Sequence, residues 1–250
     1  MSGLFNVSGR VAVVTGASAG LGRRAAVALV ENGARVVGIA RRAEALAALQ
    51  AELGDAFTPL VADVAERAAL PEIAAQAGAA YGAPEIVVHA AGINNRQVAD
   101  EVTPEGWDET IALNLGAPFF LSQALVPGMK ARGWGRIITF ASLQSFRAFH
   151  GGLSYGASKG GIAQLTRAMA QAWSCHGITA NALGPGFFRT ELTAPVFADA
   201  DLAARNAAQT CIGRNGEPED MDGPLLFLCA RASDYVTGQI LMVDGGFTAK

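Results

Sequence analysis

Short apolar runs alternate with longer stretches of helical periodicity along almost the whole chain. Val11–Thr15, Arg35–Ala40, Phe57–Val61, Glu85–His89, Arg136–Ala141, Ile178–Leu183 and Ile240–Val243 are apolar nearly throughout rather than at every second residue. That is the pattern of strands covered on both faces. Between them, Leu21–Asn32, Ala43–Leu53, Glu66–Tyr81, Pro104–Arg132, Tyr155–His176 and Pro218–Arg231 read as helices. Asn32-Gly33 and His176-Gly177 mark two helix ends, because glycine accepts the left-handed conformation that closes a last turn. Strand and helix in strict alternation predict an α/β fold with a parallel sheet and right-handed crossovers.

No linker, low-complexity block or repeat divides the chain, so residues 1–250 read as one domain. The long stretch without a clean assignment is Gly184–Arg214. With Pro185 and Pro195 inside it, it reads as a short helical pair over a cleft, a substrate-loop insertion of the kind that often serves as a lid.

Composition narrows the class. Of 250 residues 51% are apolar and 16% charged, which excludes a disordered chain and allows a large core. A net charge of -3 without any basic stripe argues against nucleic acid as partner. No uninterrupted apolar stretch approaches the ~18–20 residues of a membrane span, and Met1–Arg10 lacks a leader pattern, so a cytoplasmic protein is expected. Cys175, Cys211 and Cys229 are odd in number and far apart, and His89, His150 and His176 have no ligand spacing. Neither disulfides nor a metal site is expected.

The candidate chemistry begins at Thr15-Gly16-Ala17-Ser18-Ala19-Gly20-Leu21-Gly22, which joins the first strand to the first helix. Glycines there allow a tight turn and a close approach to a diphosphate, which then faces free N–H groups at the helix start. Gly16, Ser18, Gly20, Leu21 and Gly22 are therefore candidate cofactor residues. In a site for NAD an acidic residue is expected at the end of the second strand. Here that place holds Ala40, and Arg41 and Arg42 follow. Guanidinium forks suit the 2′-phosphate of NADP, so NADP is favoured; NAD is the alternative, in which both arginines are only a solvated helix start. Asp63, with Val64 beside it, follows the third strand; it reads either as acceptor for an adenine amino group or as a helix N-cap.

Tyr155 and Lys159 lie one helical turn apart on one face. A phenol with its ordinary pKa near ~10 is a poor base at neutral pH, and a nearby ammonium is expected to pull it down. Tyr155 would then move a proton to or from a substrate oxygen, with Ser142 hydrogen-bonding that oxygen as charge develops.

With these residues in place the chain resembles the short-chain dehydrogenases/reductases. The resemblance covers nearly the whole chain and rests on Thr15-Gly16-(x)3-Gly20-x-Gly22, Asn114, Ser142, Tyr155-(x)3-Lys159, Pro185-Gly186 and Val243-Asp244-Gly245-Gly246. It implies a single Rossmann-like domain with a doubly wound, seven-stranded parallel sheet, a nicotinamide cofactor and a homotetramer. It also implies roles. Tyr155 would be the general acid/base and Lys159 would hold the nicotinamide ribose. Ser142 would orient the substrate carbonyl, and Asn114 would keep a water in a proton relay. Phe188 and Thr190, after Pro185-Gly186, match positions at the carboxamide end of the cofactor. One departure stands out: where the family has Asn-Asn-Ala-Gly, this chain has His89-Ala90-Ala91-Gly92. Only Gly92 and the Ala90 backbone are carried over to the cofactor set.

Within the family the chain looks most like the sugar-acid branch, through Ala141–Ser145, Gly184–Glu191 and Ala232–Gly238. Arg96 stands where that branch carries arginine, and a loop arginine suits a carboxylate. Gln144, Arg147 and His150 complete the candidate substrate set, a small-molecule site for a gluconate-like acid. Phe146, Phe149, Phe187 and Phe188 point instead to an apolar substrate, a 3-oxoacyl thioester or cyclic ketone. A non-catalytic nucleotide-binding regulator is the reading from another class.

Overall fold

A computed structural model describes residues 3–250. Seven parallel strands form one sheet in the order β3-β2-β1-β4-β5-β6-β7. They are β1 Val11–Thr15, β2 Arg35–Ala40, β3 Phe57–Val61, β4 Ile86–His89, β5 Gly135–Phe140, β6 Ile178–Pro185 and β7 Ile240–Val243. Every residue of β1 and β5 is buried, which explains why these segments carry no polar alternation.

Alternate residues of each strand feed two cores. Ala12 and Val14 face one side with α1 (Gly20–Glu31), α2 (Ala43–Leu53) and α9 (Asp222–Cys229). Val13 faces the other with α3 (Leu70–Tyr81), α5 (Ala117–Arg132) and α6 (Leu153–Trp173). The strand order reverses between β1 and β4, and such a switch point opens a crevice at the carboxyl ends of the strands.

The predicted helix Pro104–Arg132 is broken in character though not in course. Between α4 (Pro104–Ile111) and α5 lies a five-residue π turn, Ala112–Gly116. The 29-residue stretch is also long and apolar enough, by length and composition, to cross a membrane, although Asn114, Ser122 and Gln123 interrupt its apolar run. Leu121, Leu125 and Met129 are packed in the core beneath the sheet. The stretch after β6 contains a 3-10 turn at Glu191–Thr193 and two short helices, α7 (Ala194–Ala198) and α8 (Ala200–Gln209).

Candidate active site

A cleft of about 560 Å³ opens over the carboxyl ends of the strands. Its floor is the glycine loop. Gly16 has φ +70, and a Cβ there would lie 2.8 Å from the Ala91 nitrogen; a Cβ on Gly22 would lie 2.3 Å from the Gly16 carbonyl oxygen. Loop, helix and the chain after β4 are thus in van der Waals contact, and only hydrogen fits between them. Ala19, the N-cap of α1, gives no side-chain cap to the helix. The first N–H groups of α1 are therefore available to an anion. Ser18, Gly20, Leu21, Val64, Ala90 and Gly92 also line the cleft. This cradle fits a dinucleotide diphosphate.

Arg41 and Arg42 line the same cleft past the end of β2. Arg41 Nη1 lies 3.5 Å from Asp63 Oδ2. Arg42 donates from Nε and Nη2 to Ser18 Oγ at 3.2 and 3.1 Å and from Nη1 to Glu191 Oε1 at 3.1 Å. Asp63 is not a helix N-cap: α3 starts only at Leu70, and Asp63 Oδ1 accepts instead from the Ala65 amide at 2.9 Å.

Tyr155 and Lys159 rise from the first turns of α6 into the cleft. Lys159 is 6% exposed, donates from Nζ to the Phe140 carbonyl at 2.6 Å, and is lowered by burial to about 8. Burial raises the Tyr155 phenol, while a hydrogen bond with Ser142 and the charge of Arg96 pull it back down. The expected lowering is thus reversed: burial wins, and the phenol stays above its ordinary value. The Lys159 ammonium is turned onto the end of β5 and lies 5.5 Å from the tyrosine ring centroid. Ser142 is held by accepting from the Gln144 amide at 3.1 Å.

Asn114 sits in the π turn, 1% exposed. Its Oδ1 accepts from the Ile93 amide at 2.9 Å, and its Nδ2 donates to the Ile93 carbonyl at 2.9 Å and to Ser158 Oγ at 3.1 Å. The side-chain amide is committed to clamping the chain after β4 against α6.

Residues 16–248 match the profile of the family described as Enoyl-(Acyl carrier protein) reductase. The chain is 39% identical over 248 residues to gluconate 5-dehydrogenase of Gluconobacter oxydans, covering 98% of this chain and 97% of that one. It belongs to the short-chain dehydrogenase/reductase family. A 2-dehydro-3-deoxy-D-gluconate 5-dehydrogenase of Escherichia coli is 39% identical over 252 residues, covering 98% of both chains. Among solved structures, gluconate 5-dehydrogenase from Burkholderia cenocepacia, in complex with NADP and tartrate, superposes with a TM-score of 0.95 at 37% identity, covering 99% of this chain and 98% of that one.

As a short-chain dehydrogenase/reductase the chain places its remaining candidates unevenly. Pro185 and Thr190 line the cleft. Gly186 does not; a Cβ there would lie 2.9 Å from the Asp244 Cα, so its bareness serves the packing of β6 on the Asp244-Gly245-Gly246 turn. Phe188 is buried, its ring filling the space where Gly216 has no side chain, and it lines a separate pocket with Gly186 rather than the cleft. Arg96 has φ +52, donates from Nη2 to the Leu192 carbonyl at 3.0 Å and acts by charge on Tyr155. Gln144, Arg147 and His150 line a separate cleft with Gln97–Ala99 and the first turns of α6. Arg147 is turned away altogether, donating to the Lys250 carbonyl at 2.9 Å. Phe149, Phe187 and Phe247 pack on one another, with ring centroids 5.8 to 6.5 Å apart, rather than lining the cleft of Tyr155. Among the described residues no cluster of metal-ligating side chains is present. The residues that motif spacing missed are Glu191 and Leu192, adjacent to the matched Thr190 and both in the cleft wall.

Proposed function

We propose that this chain is an NADP-dependent dehydrogenase that interconverts a secondary alcohol and a ketone on a sugar acid of the gluconate type. The observation that carries the reading is that one cleft holds Tyr155 and Lys159 together with Arg41 and Arg42. Arg96, which donates from Nη2 to the Leu192 carbonyl of the cleft wall at 3.0 Å, is the cation offered to a substrate carboxylate. The nicotinamide, when bound, supplies or accepts the hydride. Tyr155 then gives a proton to the ketone oxygen or takes it from the alcohol, Ser142 hydrogen-bonds that oxygen, and Lys159 holds the ribose hydroxyls. Arg41 and Arg42 pair with the 2′-phosphate, and Gly16, Gly20 and Gly22 let the diphosphate reach the α1 N-terminus. Relatives acting on gluconate and its dehydro-deoxy derivative support the substrate class, and the NADP-bound neighbour supports the cofactor. The packing of Phe149, Phe187 and Phe247 on one another removes the main support for an apolar ketone.

The same reading includes a cytoplasmic homotetramer. Free thiols at Cys175, Cys211 and Cys229 fit a reducing compartment. Exposed Trp107, Leu153, Tyr235 and Leu241 offer apolar area to partner subunits.

The test is a substrate panel with NADPH: keto-gluconates, their neutral polyol analogues, a cyclic ketone and a 3-oxoacyl thioester. Turnover is expected with the keto acid and expected to fall by about 10³-fold in Tyr155→Phe. Arg96→Ala is expected to raise KM for the acid and leave the neutral analogue unchanged. Full activity of the tyrosine variant, or equal effects of the arginine variant on acid and neutral substrates, would overturn the corresponding role.

A further inference from the structure

Thr190, Glu191 and Leu192 are consecutive, and each reaches a different part of the cleft. Thr190 stands over the glycine loop, its Cβ 3.3 Å from where a Cβ on Gly20 would lie. Glu191 accepts from Arg42 Nη1 at 3.1 Å. The Leu192 carbonyl accepts from Arg96 Nη2 at 3.0 Å. A capping box between Thr190 and Thr193 closes these residues into one turn, so the strap carries its three contacts together.

The adenosine end of this strap sets two anions against each other. Ser18 Oγ takes Nε and Nη2 of Arg42, so the glycine loop fixes the plane of the guanidinium and leaves the Nη1 side toward Glu191. A phosphate brought to Arg42 must share that fork with the carboxylate or displace it. Arg41 cannot make good the loss without a similar contest, since it faces Asp63 at 3.5 Å. The side chains of Arg42 and Glu191 are 51% and 67% exposed, so their pair is weak in itself and readily exchanged. Once exchanged, Glu191 is left close to a dianion, and like charges oppose binding.

We propose that Glu191 is a specificity-determining residue: it competes with the cofactor's 2′-phosphate for Arg42. It thereby holds the preference for a phosphorylated dinucleotide below what two unopposed arginines would produce. Loading the phosphate frees Glu191 and unfastens the strap at its adenosine end while Arg96 still holds Leu192. The proposal rests on the reading of Arg41 and Arg42 as the phosphate site.

Calorimetric titration with two probes separates the claims. One is 2′,5′-ADP, which carries the 2′-phosphate; the other is 5′-AMP, which lacks it. Wild type is expected to prefer 2′,5′-ADP, and Glu191→Gln to bind it about three- to fivefold tighter with 5′-AMP unchanged. In the Arg42→Gln background the same Glu191→Gln change is expected to bring no gain, since the competitor has lost its object. Equal binding of both probes by wild type would overturn the arginine reading itself. A wild-type preference that Glu191→Gln leaves unchanged or weakens, or a gain that persists without Arg42, would overturn the role of Glu191 alone.

Discussion

Lys159 is lowered to about 8 by burial, and its Nζ already spends one donor on the Phe140 carbonyl. Only the ammonium has three N–H donors, enough to keep that bond and donate to both ribose hydroxyls. The sign of the pH effect follows: the binding-competent form is full below about 8 and is lost as pH rises through it. The Kd for NADPH is therefore expected to be flat up to about pH 7 and to rise toward about tenfold per pH unit above the Lys159 value of about 8, with Lys159→Met flattening the profile. A wild-type Kd that does not change across that interval would remove the ribose role. Tyr155 shows the complementary lesson. Spacing alone predicts a phenol lowered by Lys159 one turn away, yet burial in the folded cleft raises it, and Arg96, 59 positions earlier in the chain, opposes that rise. His89 is a similar case. Its imidazole bonds Ser122 Oγ at 2.8 Å and burial drives it down to about 3, so the histidine that replaces the family's asparagine is a neutral tie between β4 and α5.

At the scale of elements, the glycine loop was legible because each glycine answers a local demand. Gly16 needs positive φ, and Gly22 faces a backbone carbonyl that cannot move aside. Gly22→Ala is expected to cost about 1–3 kcal/mol in stability by overpacking. It is also expected to weaken NADPH binding by at least about tenfold, read by thermal melting and titration, because the loop must shift from the α1 N-terminus. An alanine variant with wild-type affinity would show that the loop tolerates a side chain and that close approach is not its purpose. The π turn at Ala112–Gly116 was not legible, since a helix with one extra residue in a turn keeps its apolar periodicity on both sides. Its effect is to bury Asn114 where it clamps Ile93 and Ser158, a contact between segments 21 and 44 positions away. The contrast between Arg96 and Arg147 is of the same kind. Both are loop arginines, and only the path of each loop decides that Arg96 bonds Leu192 of the cleft wall while Arg147 bonds the C-terminal carbonyl.

For the whole molecule, the two cores on either face of the sheet account for much of the apolar content, and the rest includes exposed Trp107, Leu153, Tyr235 and Leu241. Light scattering of the purified protein is expected to show a four-chain particle; a monomer with full activity would refute the proposed assembly. Far from the cleft, Arg136 is 1% exposed between the Trp134 ring at 4.2 Å and an ion pair with Asp234, an arrangement that holds β5 to the segment before β7. Nothing in the local pattern announces it, because a strand residue and a loop aspartate 98 positions apart meet only once the sheet is formed. The sequence by itself determined the parallel α/β sheet, the phosphate cradle and the Tyr155–Lys159 pair, since periodicity, glycine stereochemistry and helical spacing are local constraints. Tertiary structure decided which partners the charges meet: Arg96 the Leu192 carbonyl, Arg42 the Glu191 carboxylate, and Arg147 the C-terminus. Electrostatic partnership depends on distance through space and on burial, and neither is set until the chain has closed on itself.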